Sequence, residues 1–209
     1  MQKHTKITRE RVEKFKDSNH LLLKRYEETA PVHVEHWAAP DRISFTQMKE
    51  QADFKEVTTG ATLGKIWSTH WLKVSFTIPD GWKERGEIHF VFDCGGEGLI
   101  FDQNGIPYSA LNGQTGADRR EHCILPSTLH NGFYLECAAN ELFGNSTWKI
   151  GPTPPDESKV YTIKKICIAL ILPAFWQLYH DYDIISDIAI VLHFFFISFS
   201  NLFSPNCII

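Results

Sequence analysis

The chain has no Cys-x-x-C pair, no phosphate-loop lysine, no excess of positive charge and no apolar run long enough to span a bilayer. Each absence removes a class of function. The five cysteines, Cys94, Cys123, Cys137, Cys167 and Cys207, are odd in number and lack close spacing. They fit buried thiols in a reducing compartment better than a disulfide framework. Net charge is −4, whereas a protein that tracks a nucleic-acid backbone shows a basic face, so no nucleic-acid partner is expected. Gly95-Gly-Glu97-Gly98 has neither the lysine of a phosphate loop nor the spacing of a dinucleotide loop. Those glycines read instead as a bulge or tight bend between strands, with Glu97 held at it. The opening residues, Met1-Gln-Lys-His-Thr-Lys6, begin a charged helical stretch without the apolar core of a secretory leader. The chain is therefore expected to be cytoplasmic, or vacuolar by non-secretory delivery. The sequon Asn145-Ser-Thr147 is then expected to remain unglycosylated. Ile188 to Phe203 is almost wholly apolar, but its 16 residues fall short of the roughly twenty a membrane helix needs. No membrane partner is expected.

What remains is a folding chain. Hydrophobic residues make up 43% and charged residues 22% of it, which favours a packed core over disorder. Residues 1–60 read as an N-terminal helical and irregular segment, with a thin apolar stripe through Val12, Phe15 and Leu22. From about residue 61 the period becomes two. Leu72, Val74, Phe76 and Ile78 point one way and Trp71, Lys73, Ser75 and Thr77 the other, as in a half-buried strand closed by Pro79. Ile88, Phe90, Phe92 and Cys94 alternate similarly. Asp102-Gln-Asn-Gly105 predicts a tight hairpin turn. Further strands are expected at His122–Leu125, Phe133–Ala139 and Val160–Leu170. Short strands joined by Gly/Asn/Pro turns, with no helix between them, predict a mainly β fold. The expected architecture is an antiparallel β-sandwich or jelly roll over 61–172, with an N-terminal helix before it. Residues 173–192 are expected to form an amphipathic linker helix, Phe175, Leu178, Tyr182 and Ile185 lying along one face. Residues 193–209 form an apolar tail.

The chemical motifs are weak one by one. His33-Val-Glu35-His36 lacks the four-residue histidine spacing of a zinc helix and reads as surface polarity. His180 and Asp183 share a helical turn, but no third ligand is evident. Trp67, Trp71, Trp82 and Trp148 could stack on sugar rings, although tryptophans beside an amphipathic strand usually pack. Asn140, after a strand, reads as a turn former. Glu97 and Glu136 are the carboxylates in strand-like positions, and nothing in the sequence brings them together, as glycoside cleavage would need.

Three segments in order carry a family resemblance: Trp67-Ser-Thr-His-Trp71 with its strand and Pro79-Asp-Gly-Trp82, then Cys94-Gly-Gly-Glu97-Gly-Leu-Ile-Phe101, then Glu136-Cys-Ala-Ala-Asn140-Glu-Leu-Phe-Gly144. They resemble the N-terminal β-domain of the class II α-mannosidases of cytosolic and vacuolar type, glycoside hydrolase family 38. Ala174 to Ala189 is similar to the family's linker helix. The resemblance implies removal of terminal α-linked mannose from oligosaccharides by a zinc-dependent catalytic domain. The landmark of that domain, His-x-His-Ile-Asp-x-Ala-Trp, matches nothing here, so no catalytic or metal residue is assigned. The chain is expected to stop before the catalytic domain, and the tail to be foreign to the family pattern. No cofactor is expected in this chain, zinc belonging to the full-length family enzyme.

The expected function is a non-catalytic β-domain that packs on the catalytic domain or on sister subunits, with Phe175, Leu178, Tyr182 and Ile185 as the docking face. Trp67, Trp71, Glu97, Glu136 and Asn140 are the candidate structural or sugar-facing residues, carbohydrate being a further expected partner. The alternatives are a stand-alone carbohydrate-binding sandwich and a membrane-anchored accessory protein using residues 184–203.

Overall fold

The computed structural model describes residues 26–112, 120–140 and 157–202, together with isolated helical positions between 7 and 15; side chains at 183, 189–190 and 193–202 fall outside the description. Two compact units divide the chain. One is Glu28–Leu170, and the other combines Met1–Glu27 with Ile171–Ile209.

The first unit is a β-sandwich. In chain order its elements are β1 (Glu28–Ala30), β2 (His33–Ala38), α1 (Phe45–Gln51), β3 (Lys55–Val57), β4 (Thr62–Lys65), β5 (Thr69–Ser75) and α2 (Trp82–Arg85). There follow β6 (Glu87–Asp93), β7 (Glu97–Phe101), β8 (Pro107–Asn112), β9 (His122–Ile124), β10 (Phe133–Ala138), β11 (Val160–Thr162) and β12 (Lys165–Ile171). A six-stranded sheet runs in the order β3-β2-β5-β10-β7-β8, and a four-stranded sheet in the order β1-β12-β6-β9. Strands β4 and β11 form a separate ribbon. All pairings in the larger sheet are antiparallel. The pairs β2 with β5, β5 with β10 and β10 with β7 join strands distant in the chain, as in a jelly roll, while β2–β3 and β7–β8 are neighbours in sequence.

Alternation decides what faces inward. Leu72 and Val74 of β5, Leu135 and Cys137 of β10 and Ile100 of β7 meet Phe90 and Phe92 of β6 and Ile168 and Leu170 of β12 in one core. The chain changes sheets between β6 and β7 at Gly95-Gly96. Gly95 takes φ 77°, and a Cβ on Gly96 would stand 2.4 Å from the Ala138 carbonyl oxygen. The predicted bend is thus a corner between the two layers, closed by the Gly95 N–H donating to Asp93 Oδ1 at 2.8 Å.

Several expectations require correction. Residues 1–60 were read as a helical and irregular segment, yet 28–57 supply β2 in the interior of the larger sheet, together with β1, β3 and α1. Pro31 and Pro40 fall between elements, so they punctuate rather than prevent them. Ser44 caps α1 through a capping box with Gln47, and Met48 is completely buried against the sheet. The expected strand Val160–Leu170 is two strands, because Ile163 and Lys164 turn aside to pair with Gly60, Ala61 and Asp93. The 102–105 hairpin returns antiparallel as expected, but with Gly105 alone at positive φ. Asp102 closes the loop by accepting from the Asn104 and Ile106 N–H groups.

In the second unit a long helix, α3 (Pro173–Leu202), runs past residue 192. Half-buried Phe175, Tyr179, Tyr182 and Ser186 share one row, and Tyr182 meets Phe15 of the same unit at 5.5 Å between ring centroids. Leu178 and Ile185 lie off that row, exposed, so the four residues expected on one face divide between two. No helix among the described residues is long and apolar enough to cross a membrane.

Candidate functional site

The outer face of the six-stranded sheet divides into a covered half and an open half. Over the covered half, α1 brings Met48 and Phe45 onto Trp71, Tyr134 and Phe101. Phe45 stands edge-on to both Tyr134 and Trp71, at 5.3 and 6.0 Å between centroids. Lys49 lies over the Tyr134 ring at 4.7 Å and donates to its hydroxyl at 2.9 Å. Trp71 is wholly buried here. Its ring is structural and cannot stack on a ligand.

The open half is a groove of about 680 Å³. Strand pairing explains its lining. Glu136 lies opposite Leu99, and Ala138 opposite Glu97. Residues directly opposite in an antiparallel pair share a face, so Glu97, Leu99, Glu136 and Ala138 all point outward together. Thr69 joins them from β5, opposite Ala138, and Ala110 and Asn112 join from β8, opposite Leu99 and Glu97. Loops add Arg42, Trp67, Arg120 and Asn140. Four of the five candidate residues therefore meet in one groove, and only Trp71 lies elsewhere. The structure also joins the two carboxylates that the sequence left apart: Glu97 and Glu136 are diagonal neighbours, for which backbone spacing is about 7–8 Å.

Each polar group has a defined setting. Asn140 donates through Nδ2 to Glu97 Oε2 at 2.9 Å, so it anchors a carboxylate as well as ending a strand. Its Oδ1 is buried without a partner among the described residues. Burial raises the Glu136 carboxyl above the ordinary carboxylate range, and the charge of Arg42 partly opposes this. Trp67 is 60% exposed and has φ 69°, the one positive value outside glycine among the described residues. Its N–H donates to the Ala139 carbonyl at 2.8 Å, and that of Ala139 to Ser68 at 3.0 Å. Two interlocked backbone bonds thus hold the strained turn. The arginines carried no periodic signal in the sequence, since both come from irregular segments. Asn112 was legible only through the hairpin register.

The His33-Val-Glu35-His36 segment is half surface and half interior. Glu35 accepts from Lys73 at 2.6 Å on the outer face. His36 instead turns inward, its Nε2 standing 3.0 Å from Nδ1 of buried His70, which corrects the surface reading. His180 sits edge-on to Trp176 at 4.7 Å. Among the described residues no three His, Cys, Asp or Glu side chains converge as a metal site; zinc finds no fitting donor set there. Cys94, Cys123, Cys137 and Cys167 form no disulfide. Trp148, Cys207 and the sequon at Asn145 lie outside the described residues.

Two antiparallel sheets face to face, crossed at a glycine corner, define a jelly-roll sandwich. The profile of the family described as Ams1-like "Alpha-mannosidase, jelly roll domain" matches residues 30–169, nearly the whole sandwich. The chain belongs to this α-mannosidase jelly-roll family. It is 31% identical to Alpha-mannosidase G of Dictyostelium discoideum over 76% of this chain and 15% of that protein. It is likewise 31% identical to an Alpha-mannosidase of Saccharomyces cerevisiae over 68% of this chain and 13% of that one. Alpha-mannosidase 2C1 of Homo sapiens is 28% identical over 90% of this chain and 18% of its own length. The chain thus spans less than a fifth of each of these relatives.

Proposed function

We propose that this chain is the non-catalytic jelly-roll domain of an α-mannosidase, serving to pack against and assemble a catalytic domain that acts on α-mannosides. The observation that carries this reading is the match of residues 30–169 to the jelly-roll domain of that family. On this reading zinc chemistry resides in the catalytic partner. The buried thiols of Cys94, Cys123 and Cys137 favour a reducing, cytoplasmic setting. Exposed Leu178, Ile185 and Ile188 on α3 supply apolar surface of the kind that docking covers.

A chimera tests this. Residues 30–169 would replace the matched stretch of the Dictyostelium relative, and hydrolysis of 4-nitrophenyl α-mannoside would be followed. The chimera should be soluble and active, while the 209-residue chain alone releases no nitrophenol. A folded but inactive chimera, or hydrolysis by the chain alone, would overturn the proposal.

A further inference from the structure

The groove on the open half of the six-stranded sheet has features that domain packing does not require. Trp67 keeps a large apolar ring 60% exposed on a backbone with φ 69°. Positive φ is unfavourable for a bulky residue, and the exposed ring forgoes burial. The fold maintains both, because the Trp67 and Ala139 N–H groups lock the turn. Beside the ring, Asn140 holds Glu97 at 2.9 Å and keeps its own Oδ1 buried without a partner among the described residues. A buried acceptor left unmatched is unfavourable, so the fold holds Asn140 on Glu97 at a cost.

The charges lining the groove select a ligand class. Two carboxylates, Glu97 and Glu136, stand with two guanidinium groups, Arg42 and Arg120. The formal sum is near zero, which disfavours a phosphate or a polycation. Closely spaced donors and acceptors instead suit vicinal hydroxyls, each of which donates and accepts. An aromatic face beside such a polar set suits a ring with one apolar face and a hydroxylated rim. The volume, about 680 Å³, lies within the range of small-molecule sites.

We infer that this groove binds a neutral hexopyranose, its apolar face against Trp67 and its hydroxyls on Glu97, Asn140 and the flanking Glu136 and arginines. The choice of an α-mannoside within that class rests on the function proposed above. The groove would then hold a sugar unit of an oligosaccharide while cleavage takes place in another domain.

The test uses the whole chain and ligand-observed saturation-transfer NMR with methyl α-D-mannopyranoside, methyl β-D-glucopyranoside and inorganic phosphate. Transfer to a hexoside, and none to phosphate, is the expected result. Trp67→Ala should weaken binding roughly tenfold, as loss of a stacking platform does, with far-ultraviolet circular dichroism unchanged. Glu97→Gln should weaken it as well. Saturation of the glucoside alone would uphold the hexopyranose site and remove only its link to α-mannosides. No transfer to either hexoside, or equal transfer in wild type and Trp67→Ala, would overturn the inference. Activity of the chimera is read separately, so either reading can fail alone.

Discussion

At the scale of single residues, His70 shows how a buried polar group constrains the fold. Its Nε2 lies 2.7 Å from Ser68 Oγ, and the Ser68 hydroxyl donates to the Lys65 carbonyl. The hydroxyl must then accept from His70 Nε2–H, which leaves Nδ1 to accept from His36 Nε2–H at 3.0 Å. The chain is satisfied when both rings are neutral. A further proton on His70 would set two N–H groups against each other in a buried position. Burial, and secondarily the neighbouring His36, accordingly lower the His70 imidazole from its usual 6.5 to about 4. The sign follows. Between those values the unfolded chain binds a proton that the folded chain refuses, so stability is full above pH 6.5 and declines as pH falls toward 4. His36 and His89 are lowered by burial too and act in the same direction. Urea midpoints measured from pH 7 down to pH 4 should fall, and His70→Gln should flatten that fall while lowering stability at pH 7. Parallel curves for the two proteins would show that acid acts elsewhere. None of this was legible in His33-Val-Glu35-His36 alone, because His70 joins it from 34 residues away.

At the scale of elements, the strands were legible where alternation was long. β5 and β6 each run seven residues, and their inward sets, Leu72 and Val74 with Phe90 and Phe92, were readable from the sequence, whereas the burial of His89, Val91 and Asp93 on the other side of β6 was not. The 29–60 stretch was less legible. β1 and β3 have three residues apiece, too few to display a period. β2 carries His33, Glu35 and Trp37 on one side and Val34, His36 and Ala38 on the other, a mixture that hides its inward face. For α1 a local signal did exist: Ser44-Phe-Thr-Gln47 is a capping box. The stability of α1 comes mainly from packing. Seven residues are too few for an isolated helix, and wholly buried Met48 fixes it on Trp71 and Tyr134. Met48→Ala should therefore destabilise the sandwich by about 2–5 kcal/mol, and Ser44→Ala by only about 1 kcal/mol. Chemical denaturation of both variants checks the order. A larger loss from Ser44→Ala would mean that the cap, rather than the buried side chain, holds the helix. The groove depends on this element indirectly, since α1 covers only half of the outer face and leaves the half bearing Glu97 and Glu136 open.

At the scale of the whole molecule, the question is what the sandwich needs in order to fold. Its buried core draws on residues from Val34 to Leu170, all inside one unit. The two ends of that unit are tied together, because Glu28 pairs with Leu170 and Ala30 with Ile168. Glu28 also accepts from the Trp82 indole at 3.0 Å and pairs with Arg85 at 2.6 Å, so the first strand is anchored by residues of its own unit. The carboxyl of Glu28 is lowered by Arg85 first and then by Trp82, in keeping with that anchoring. A unit whose core, corner and terminal strands are all internal should fold by itself. The flanking helix has the opposite character. Leu178, Ile184, Ile185, Ile188, Val191 and Leu192 are each more than half exposed, which makes α3 a source of association as long as nothing covers it. A chain cut to residues 26–172 should consequently unfold in one cooperative step at nearly the same urea midpoint as the full chain. It should also remain monomeric at concentrations where the full chain associates, as sedimentation velocity would show. If the shortened chain instead loses the near-ultraviolet signal of Trp71 and Trp82 while keeping its strand content, the sandwich draws its packing from the flanking unit.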